Sequence, residues 1–423
     1  MKIIHFAKTF SANGGVGNYL LRLCPALKAA GYETGVIHAD SNARAGGGIE
    51  SFQVPAFDDP GNSVVNAQIL DVLEKARPDI VHIHANENLE VEKRILSRWP
   101  TVKSIHVYDF CPSGTKFHHA SHQVCRRPTG APCLAHMVFN RCTQSKRPKV
   151  IWNFYKNAMA NNEINRLYPK LIVATGYVKR QALETGYRDE QVEVIPYFTE
   201  YPALSGDESE NLILFSGRVV AEKGLELLLR AAALLPRDLN WRLAVDGDGP
   251  ELTNLKKLAA SLKLEEKVQF CGWLNKEKHW EIFRKAAVVA VPSIWPEPFG
   301  LVGIEAMSYA KPVVAFAVGG IPEWLKDGET GYLIPPYDHR QMAEKIAFLL
   351  RNREAARQMG INGRNFAEET FTQDKHVNRL TEIYKTVLNI HTPCHPERSG
   401  GSDLEQKQIL RQRAPQDDRK THA

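Results

Sequence analysis

Along the chain, short apolar runs of strand length alternate with amphipathic stretches of helical length, and the alternation continues almost to the C-terminus. Lys2-Ile-Ile-His-Phe-Ala7 is the first run. The loop Ser11-Ala-Asn-Gly-Gly-Val-Gly17 follows, then a helical stretch over 18–30, a stop at Gly31 and a second run over 32–38, which together make a strand–helix–strand unit. Residues 64–76 read as a helix, with apolar positions at 65, 69, 70, 72 and 73, and 78–84 and 101–107 read as buried strands. A helix over 150–167, a strand over 171–175, a helix over 177–184 and a strand over 192–195 complete this half.

Residues 196–210 carry two prolines, a glycine and no period, which marks a linker. The alternation then restarts. Strands are expected at 211–216, 241–245, 268–271, 288–291 and 312–316. Helices are expected at 224–235, 251–262, 276–285, 300–309, 339–351 and 354–369, with a closing helix over 372–389. Repeated strand–helix units in both halves predict an α/β protein of two doubly wound, Rossmann-like parallel sheets. Ligands bind such sheets at the C-terminal ends of the strands, here in a cleft between domains 1–200 and 211–390. The polar residues 391–423 read as a disordered tail.

Two stretches break the pattern in ways that matter. Residues 109–149 show no period and are rich in Cys, His, Pro and Arg; a segment this long without one usually carries function. Charge is concentrated in the same place. The net charge is +6, and residues 1–200 hold 24 Lys/Arg against 18 Asp/Glu. From Cys111 to Lys156 there are eight cations (Lys116, Arg126, Arg127, Arg141, Lys146, Arg147, Lys149 and Lys156) and no acid, which predicts an anionic partner. Four of the seven cysteines, Cys111, Cys125, Cys133 and Cys142, lie in this stretch. No apolar run approaches the roughly 20 residues of a membrane span, and the N-terminus reads as a strand rather than an export signal. The expected setting is a reducing cytoplasm without structural disulfides.

Candidate chemistry sits mainly in the second half. Pro292-Ser-Ile-Trp-Pro-Glu297-Pro-Phe-Gly-Leu-Val-Gly-Ile-Glu305 joins a buried strand to a helix, so backbone N–H groups near Phe299, Gly300 and Leu301 point at a ligand. Glu297 and Glu305 can bracket that ligand. Phe215-Ser-Gly-Arg218-Val-Val-Ala-Glu-Lys223-Gly224 places an Arg fork and a Lys point charge on one strand–helix loop, suited to a diphosphate.

With Val245-Asp-Gly-Asp-Gly-Pro250 and the Gly-Gly-x-Pro-Glu run over 319–323, these motifs resemble family 4 retaining glycosyltransferases of the GT-B fold, over about residues 1–390. The resemblance implies a UDP-, GDP- or ADP-sugar donor held by the second domain and an acceptor held by the first. It implies that Arg218 and Lys223 hold the diphosphate, Glu305 the ribose, and Glu297 the transferred sugar, with backbone contacts from Phe299, Gly300 and Leu301. Trp273 and Leu274 would pack near the nucleobase, Gly15 beside the phosphates, and His106 against the donor sugar. The leaving phosphate oxygen would take the acceptor proton, with no protein base and no metal cofactor.

Asp246-Gly-Asp248 fits a metal-binding D-x-D pattern, but its place in a Gly-Pro turn argues against that use. Gly15-Val-Gly17 lacks the third glycine of a dinucleotide fingerprint, because Leu20 stands there. His82 and His84 share one strand face and are expected to line the cleft. Cys111, Cys125, Cys133 and Cys142, spaced x₁₃, x₇ and x₈, are candidate zinc ligands, with free thiols in a lid as the alternative.

The expected function is a hexosyltransferase of cell-surface polysaccharide or glycolipid synthesis. Its expected acceptor is a sugar, a lipid-linked sugar or another anionic group, with peripheral contact to an anionic membrane at its inner face and no nucleic-acid partner. A sugar-nucleotide epimerase of the same fold and a non-catalytic sugar-nucleotide sensor remain as alternatives.

Overall fold

The structure is a computed structural model that describes residues 1–391 apart from 12–14, 41–48, 58, 60, 144 and 205–209. The tail 392–423, Asn13 and Gly14 of the glycine loop, and 205–209 of the linker therefore lie outside the described residues.

The first domain is built on β1 (Lys2–Ala7), β2 (Glu33–His38), β3 (Glu50–Gln53), β4 (Ile80–Ala85) and β5 (Thr101–Ile105). A small antiparallel hairpin, β6 (Phe117–His118) and β7 (Gln123–Val124), precedes β8 (Leu171–Val173) and β9 (Val192–Val194). The seven-stranded sheet has the order β3-β2-β1-β4-β5-β8-β9 and is parallel throughout. Its helices are α1 (Gly15–Ala29), α2 (Ser63–Ala76), α3 (Leu89–Leu96), α4 (Cys133–Phe139), α5 (Pro148–Asn165) and α6 (Gly176–Glu184). The stretch read as aperiodic thus holds the hairpin and the two-turn α4.

The second domain has β10 (Leu212–Ser216), β11 (Arg242–Asp246), β12 (Val268–Gly272), β13 (Ala286–Val291), β14 (Val313–Phe316) and β15 (Gly331–Ile334), in the parallel order β12-β11-β10-β13-β14-β15. Its helices are α7 (Leu225–Ala233), α8 (Leu252–Ser261), α9 (Lys276–Lys285), α10 (Leu301–Ser308), α11 (Ile321–Trp324), α12 (His339–Arg351) and α13 (Arg353–Thr370), and α14 (Gln373–His391) closes the chain. Each sheet reverses its strand order once, between β1 and β4 and between β10 and β13. Such a reversal opens a crevice at the strand ends.

Both faces of the first sheet are apolar because alternate residues point to opposite sides. Ile4, Val81 and Leu171 join the core that continues toward the second domain, whereas Ile3, Ile80 and Ile172 face α1 and α14. Sequence order assigns α14 to the second domain, but the structure places it on the first. Val377, Leu380, Tyr384 and Val387 recur at helical spacing and bury against Leu20, Leu23 and Leu27 of α1. Periodicity shows that a helix is amphipathic, not which surface it covers. Among the described residues no helix is long and apolar enough to cross a membrane.

One buried ion pair anchors the entrance to the cysteine-rich loop. Lys103 of β5 is 2 % exposed; its Nζ lies 2.8 Å from Glu92 of α3 and 2.9 Å from Asn161 Oδ1 of α5, with Asp109 at 3.7 Å. Burial alone would push its ammonium down, but the Glu92 and Asp109 carboxylates hold it above the ordinary lysine value. Asn161 and Asn162 donate to the carbonyls of Asp109 and Phe110, so the chain leaving β5 is held just ahead of Cys111. Lys103→Met, which leaves Glu92 buried without its cation, is expected to cost about 3–5 kcal/mol in urea unfolding. Adding Glu92→Leu should recover a large part of that loss.

Candidate active site

The loops that follow β10 and β13 flank the reversal point of the second sheet. After β10 the chain turns at Gly217 (φ 148°) and reaches Arg218, which is exposed and has no ion pair among the described residues. Close packing decides the glycines here: a Cβ on Gly247 would lie 1.9 Å from the Gly217 carbonyl oxygen. Asp246, at the end of β11, accepts from Ser216 Oγ (2.9 Å), the Leu274 amide (3.2 Å) and His279 Nδ1 (2.6 Å). Its oxygens hold the turn together, which is why Asp246-Gly-Asp248 is a hub of protein hydrogen bonds. Trp273, next to this hub, is 60 % exposed and free to meet a flat ligand; Leu274 beside it is half-buried.

Lys223 ends a short turn before α7. Gly224 (φ 68°) packs so tightly that a Cβ would lie 1.9 Å from the Pro292 carbonyl oxygen, and the Ile294 amide donates to the Glu222 carbonyl. The lysine loop and the loop over 292–299 are therefore fastened together. Lys223 Nζ lies 2.6 Å from Glu297 Oε1, which also accepts from Ser293 Oγ at 2.5 Å. Glu297 is 3 % exposed. Trp295 sits beneath the ammonium, its ring centroid 5.6 Å from Nζ. The sequence reading keeps Lys223 for phosphate and Glu297 for sugar; the structure joins them as one ion pair.

Gly300 (φ 92°) caps α10 in the left-handed region with no side-chain cap, so the first amides of that helix remain available. Leu301, the first residue of α10, is half-buried beside it. Phe299 is buried between Tyr197 and Phe371. Glu305, expected at a ribose, is engaged by Arg22 of α1 at 3.0 Å across the cleft. Gly15, at the N-terminus of α1, has open space where a Cβ would stand, whereas a Cβ on Gly17 would strike the Ser11 carbonyl oxygen at 2.1 Å.

The first domain grips the same loop. Tyr108 Oη donates to the Pro296 carbonyl at 2.7 Å and Thr175 Oγ1 to the Pro298 carbonyl at 2.8 Å. Glu323 of the Gly-Gly-x-Pro-Glu run accepts from the Gly176 and Tyr177 amides at 2.7 and 2.5 Å, capping α6 of the other domain. The Gly320 amide donates to the Glu297 carbonyl at 2.7 Å.

His106 follows β5 and departs from expectation. Its Nδ1 lies 2.5 Å from Tyr197 Oη and its Nε2 3.0 Å from His84 Nδ1, so both ring nitrogens are spent on protein partners and a sugar would have to displace one. Burial lowers it to about 4, leaving the ring neutral at physiological pH. The chain of rings continues from His84 Nε2 to His5 Nδ1 at 2.9 Å. His82 bonds Tyr384 and Ser104 at 2.7 and 2.8 Å. His82 and His84, expected in the cleft, are instead buried inside the first domain. His5, His82 and His84 place nitrogens within 4.8 Å of one another, but all save His5 Nε2 already serve this network. No sequence signal pointed to His5, Tyr197 or Tyr19, which are brought together only by the sheet.

A cavity of ≈ 320 Å³ opens at the opposite end of the second sheet, beside Asn211, Pro312 and Arg353. Ligands of open parallel sheets bind at the C-terminal strand ends, which is the end opposite this cavity.

Residues 13–199 match the family described as Glycosyltransferase Family 4, and residues 199–366 match Glycosyl transferases group 1. The chain belongs to glycosyltransferase family 4. It spans about half the length of the curated relatives it matches. Alpha-D-kanosaminyltransferase of Streptomyces kanamyceticus is 30 % identical over 43 % of this chain and 47 % of its own length. D-inositol 3-phosphate glycosyltransferase of Corynebacterium diphtheriae is 34 % identical over 45 % and 46 %. Among solved structures, sucrose-phosphate synthase from Thermosynechococcus elongatus superposes with a TM-score of 0.72 at 21 % identity, covering 92 % of this chain and 99 % of its own. Anabaena HepE in complex with UDP-glucose gives 0.69 at 20 %, covering 91 % and 100 %. The fold is GT-B.

In this family 4 protein Cys111, Cys125, Cys133 and Cys142 are free thiols lining one cavity. No three of their sulfurs stand within 4.8 Å of one another. Burial pushes the Cys142 thiol up to about 12 and raises Cys133. Of the eight cations in the basic stretch, Lys116 is buried; the other seven are exposed.

Proposed function

We propose that the protein is a retaining hexosyltransferase using a nucleoside-diphosphate-sugar donor, UDP-linked, with a lipid-linked or other anionic acceptor. The observation that carries this reading is the Lys223–Glu297–Ser293 cluster at the β10/β13 reversal point, with exposed Arg218 on the lysine's own loop and the open N-terminus of α10 following the Glu297 loop. Arg218 and Lys223 on the loop between β10 and α7, and the first amides of α10, are the positive groups offered to a leaving diphosphate, on which charge develops in the transition state. Arg218 and Lys223 supply the neutralising charge, so transfer should proceed in the presence of a chelator. The bond from C1 to the phosphate oxygen breaks, the acceptor oxygen bonds C1 on the same face, and its proton passes to the leaving phosphate. Glu297, already ion-paired, orients the sugar hydroxyls. An epimerase would need a free carboxylate, and Glu297 and Glu305 are both paired.

UDP as donor nucleotide is supported by HepE, whose structure holds UDP-glucose. A lipid surface at the inner, cytoplasmic face of a membrane is supported by exposed Phe139, Trp152 and Phe154 beside exposed Arg141, Lys146, Arg147, Lys149 and Lys156. Such an acceptor fits cell-surface polysaccharide or glycolipid synthesis. Calorimetric titration with UDP, GDP and ADP, followed by NMR of the anomeric configuration of the product, tests the reading. Tight binding of UDP and a retained anomer are expected, with salt-sensitive pelleting on anionic vesicles. An inverted product, or no nucleotide binding at millimolar concentration, removes it.

A further inference from the structure

We propose that the loop between β5 and α5 is a structural zinc site whose ligands are the thiolates of Cys111, Cys125, Cys133 and Cys142. The first observation is convergence. The four residues belong to different pieces of chain: the turn after β5, the residue after β7, the start of α4 and the segment beyond α4. Their spacings share no repeat, yet all four reach the wall of one cavity. Its volume is ≈ 20 Å³, room for about one ion or one water and too little for an iron–sulfur cluster or an organic ligand. His136 also lines it, with Nε2 on Arg127 at 2.9 Å and Nδ1 on Asn140 at 2.6 Å; of the sulfurs, Cys142 Sγ donates to the His136 carbonyl and Cys111 Sγ lies 3.3 Å from Ser113 Oγ, single weak thiol contacts that a metal can replace.

Charge is the second and independent observation. Lys116 is 1 % exposed, and its Nζ donates to the Arg127 carbonyl at 2.6 Å. Among the described residues Lys116 forms no ion pair with a carboxylate, its ammonium being held by the Arg127 carbonyl, and from Cys111 to Lys156 the chain has no Asp or Glu. A buried ammonium without a counter-charge is costly. Zinc with four thiolates carries a net charge of minus two, and supplies the missing anion beside Lys116. The basic stretch is then in part the shell of an internal anion. Binding is balanced by release of four thiol protons to solvent.

Backbone conformation points the same way. Lys116, His122 and Arg141 all take positive φ, at 52°, 52° and 48°. Each such residue costs on the order of 1–3 kcal/mol unless something holds it. The loop's own apolar cluster, Met137, Cys142 and Ile151 with Tyr155 against it, is small. A tetrahedral centre with Zn–S near 2.3 Å sets its sulfurs roughly 3.8 Å apart, closer than three of them stand here, so binding draws the cysteine-bearing turns inward. The tightened loop braces the cleft. Tyr108, three residues before Cys111, holds the Pro296 carbonyl, and Tyr337 of the second domain donates to the His122 carbonyl.

The test uses the full chain purified without chelator. Elemental analysis should find about one zinc per chain, and less than about a tenth of that in Cys125→Ser and Cys133→Ser. Mercurial titration followed by a chelator should release the metal and open 111–149 to limited proteolysis. Should the serine variants fail to fold, the wild-type protein reloaded with cobalt(II) alone should still show the visible spectrum of a tetrahedral tetrathiolate. Zinc below about a tenth per chain, with the four thiols reacting equally fast before and after chelator, overturns the proposal. Iron with acid-labile sulfide, or a cobalt spectrum with nitrogen or oxygen ligands, overturns it as well.

Discussion

Lys223→Ala is expected to lower kcat by about 10²- to 10³-fold while the fold survives. Among the described residues Lys223 is the cation ion-paired to Glu297, and it shares the loop between β10 and α7 with exposed Arg218. In the proposed mechanism its loss removes a positive charge from the leaving group. It also takes the ammonium away from the buried Glu297 carboxylate, which keeps Ser293 Oγ as a donor. Arg218→Ala should act on the same step with a smaller loss, about 2 kcal/mol in transition-state binding, because an exposed charge is partly screened. Single-turnover rates with saturating donor check both. Wild-type rates in Lys223→Ala would remove the lysine from the reaction.

The second large effect is on stability in mild acid. His5, His106 and His376 are lowered to about 3, 4 and 4, and His82 and His84 well below 6.5, all chiefly by burial. The groups facing them are Tyr19, Tyr197, Tyr384 and Cys24, with Arg379 adding repulsion at His376. None can neutralise an imidazolium. A base lowered in the folded state gives its full contribution above 6.5 and loses it as pH falls below 6.5, because only the unfolded chain takes up protons. Between pH 7.5 and 5.5 each ring should cost about 1 kcal/mol, and five together about 5 kcal/mol. Carboxylates titrate mostly below that window, so urea midpoints at the two pH values isolate the histidines. Superimposable unfolding curves would mean that the network is hydrated and protonates in place.

The alternation of runs announced both parallel sheets, and glycine and proline placed the loops that carry Arg218, Lys223 and Glu297. Local pattern failed where local pattern is weak. β3 is mostly exposed, β15 has four residues and α11 is a single turn, so none shows a period. The histidine network escaped because its hydrogen bonds join residues 22 to 357 positions apart. Motif matching identified Glu305 and Gly-Gly-x-Pro-Glu, but not that Arg22 engages the first or that Glu323 caps a helix of the other domain. Those pairings depend on how two domains meet. The burial of Lys116 was hidden for a similar reason: a cation in a basic stretch looks solvated until folding encloses it.

The return of α14 to the first sheet makes the second domain an insertion. The chain leaves the first domain at 196–201 and re-enters it at 367–376. The two crossings lie side by side: the Thr199 amide donates to the Phe371 carbonyl, His376 Nδ1 to the Pro196 carbonyl, and Tyr201 Oη to the Ala367 carbonyl. Recombination with a relative therefore needs two neighbouring junctions. A splice at residue 200 alone would strip Leu20, Leu23 and Leu27 of the helix that covers them. Replacing residues 199–371 as one cassette leaves the first domain whole and carries the second intact, so, if the proposed division of donor and acceptor holds, new donor–acceptor pairings follow from exchanging that single cassette.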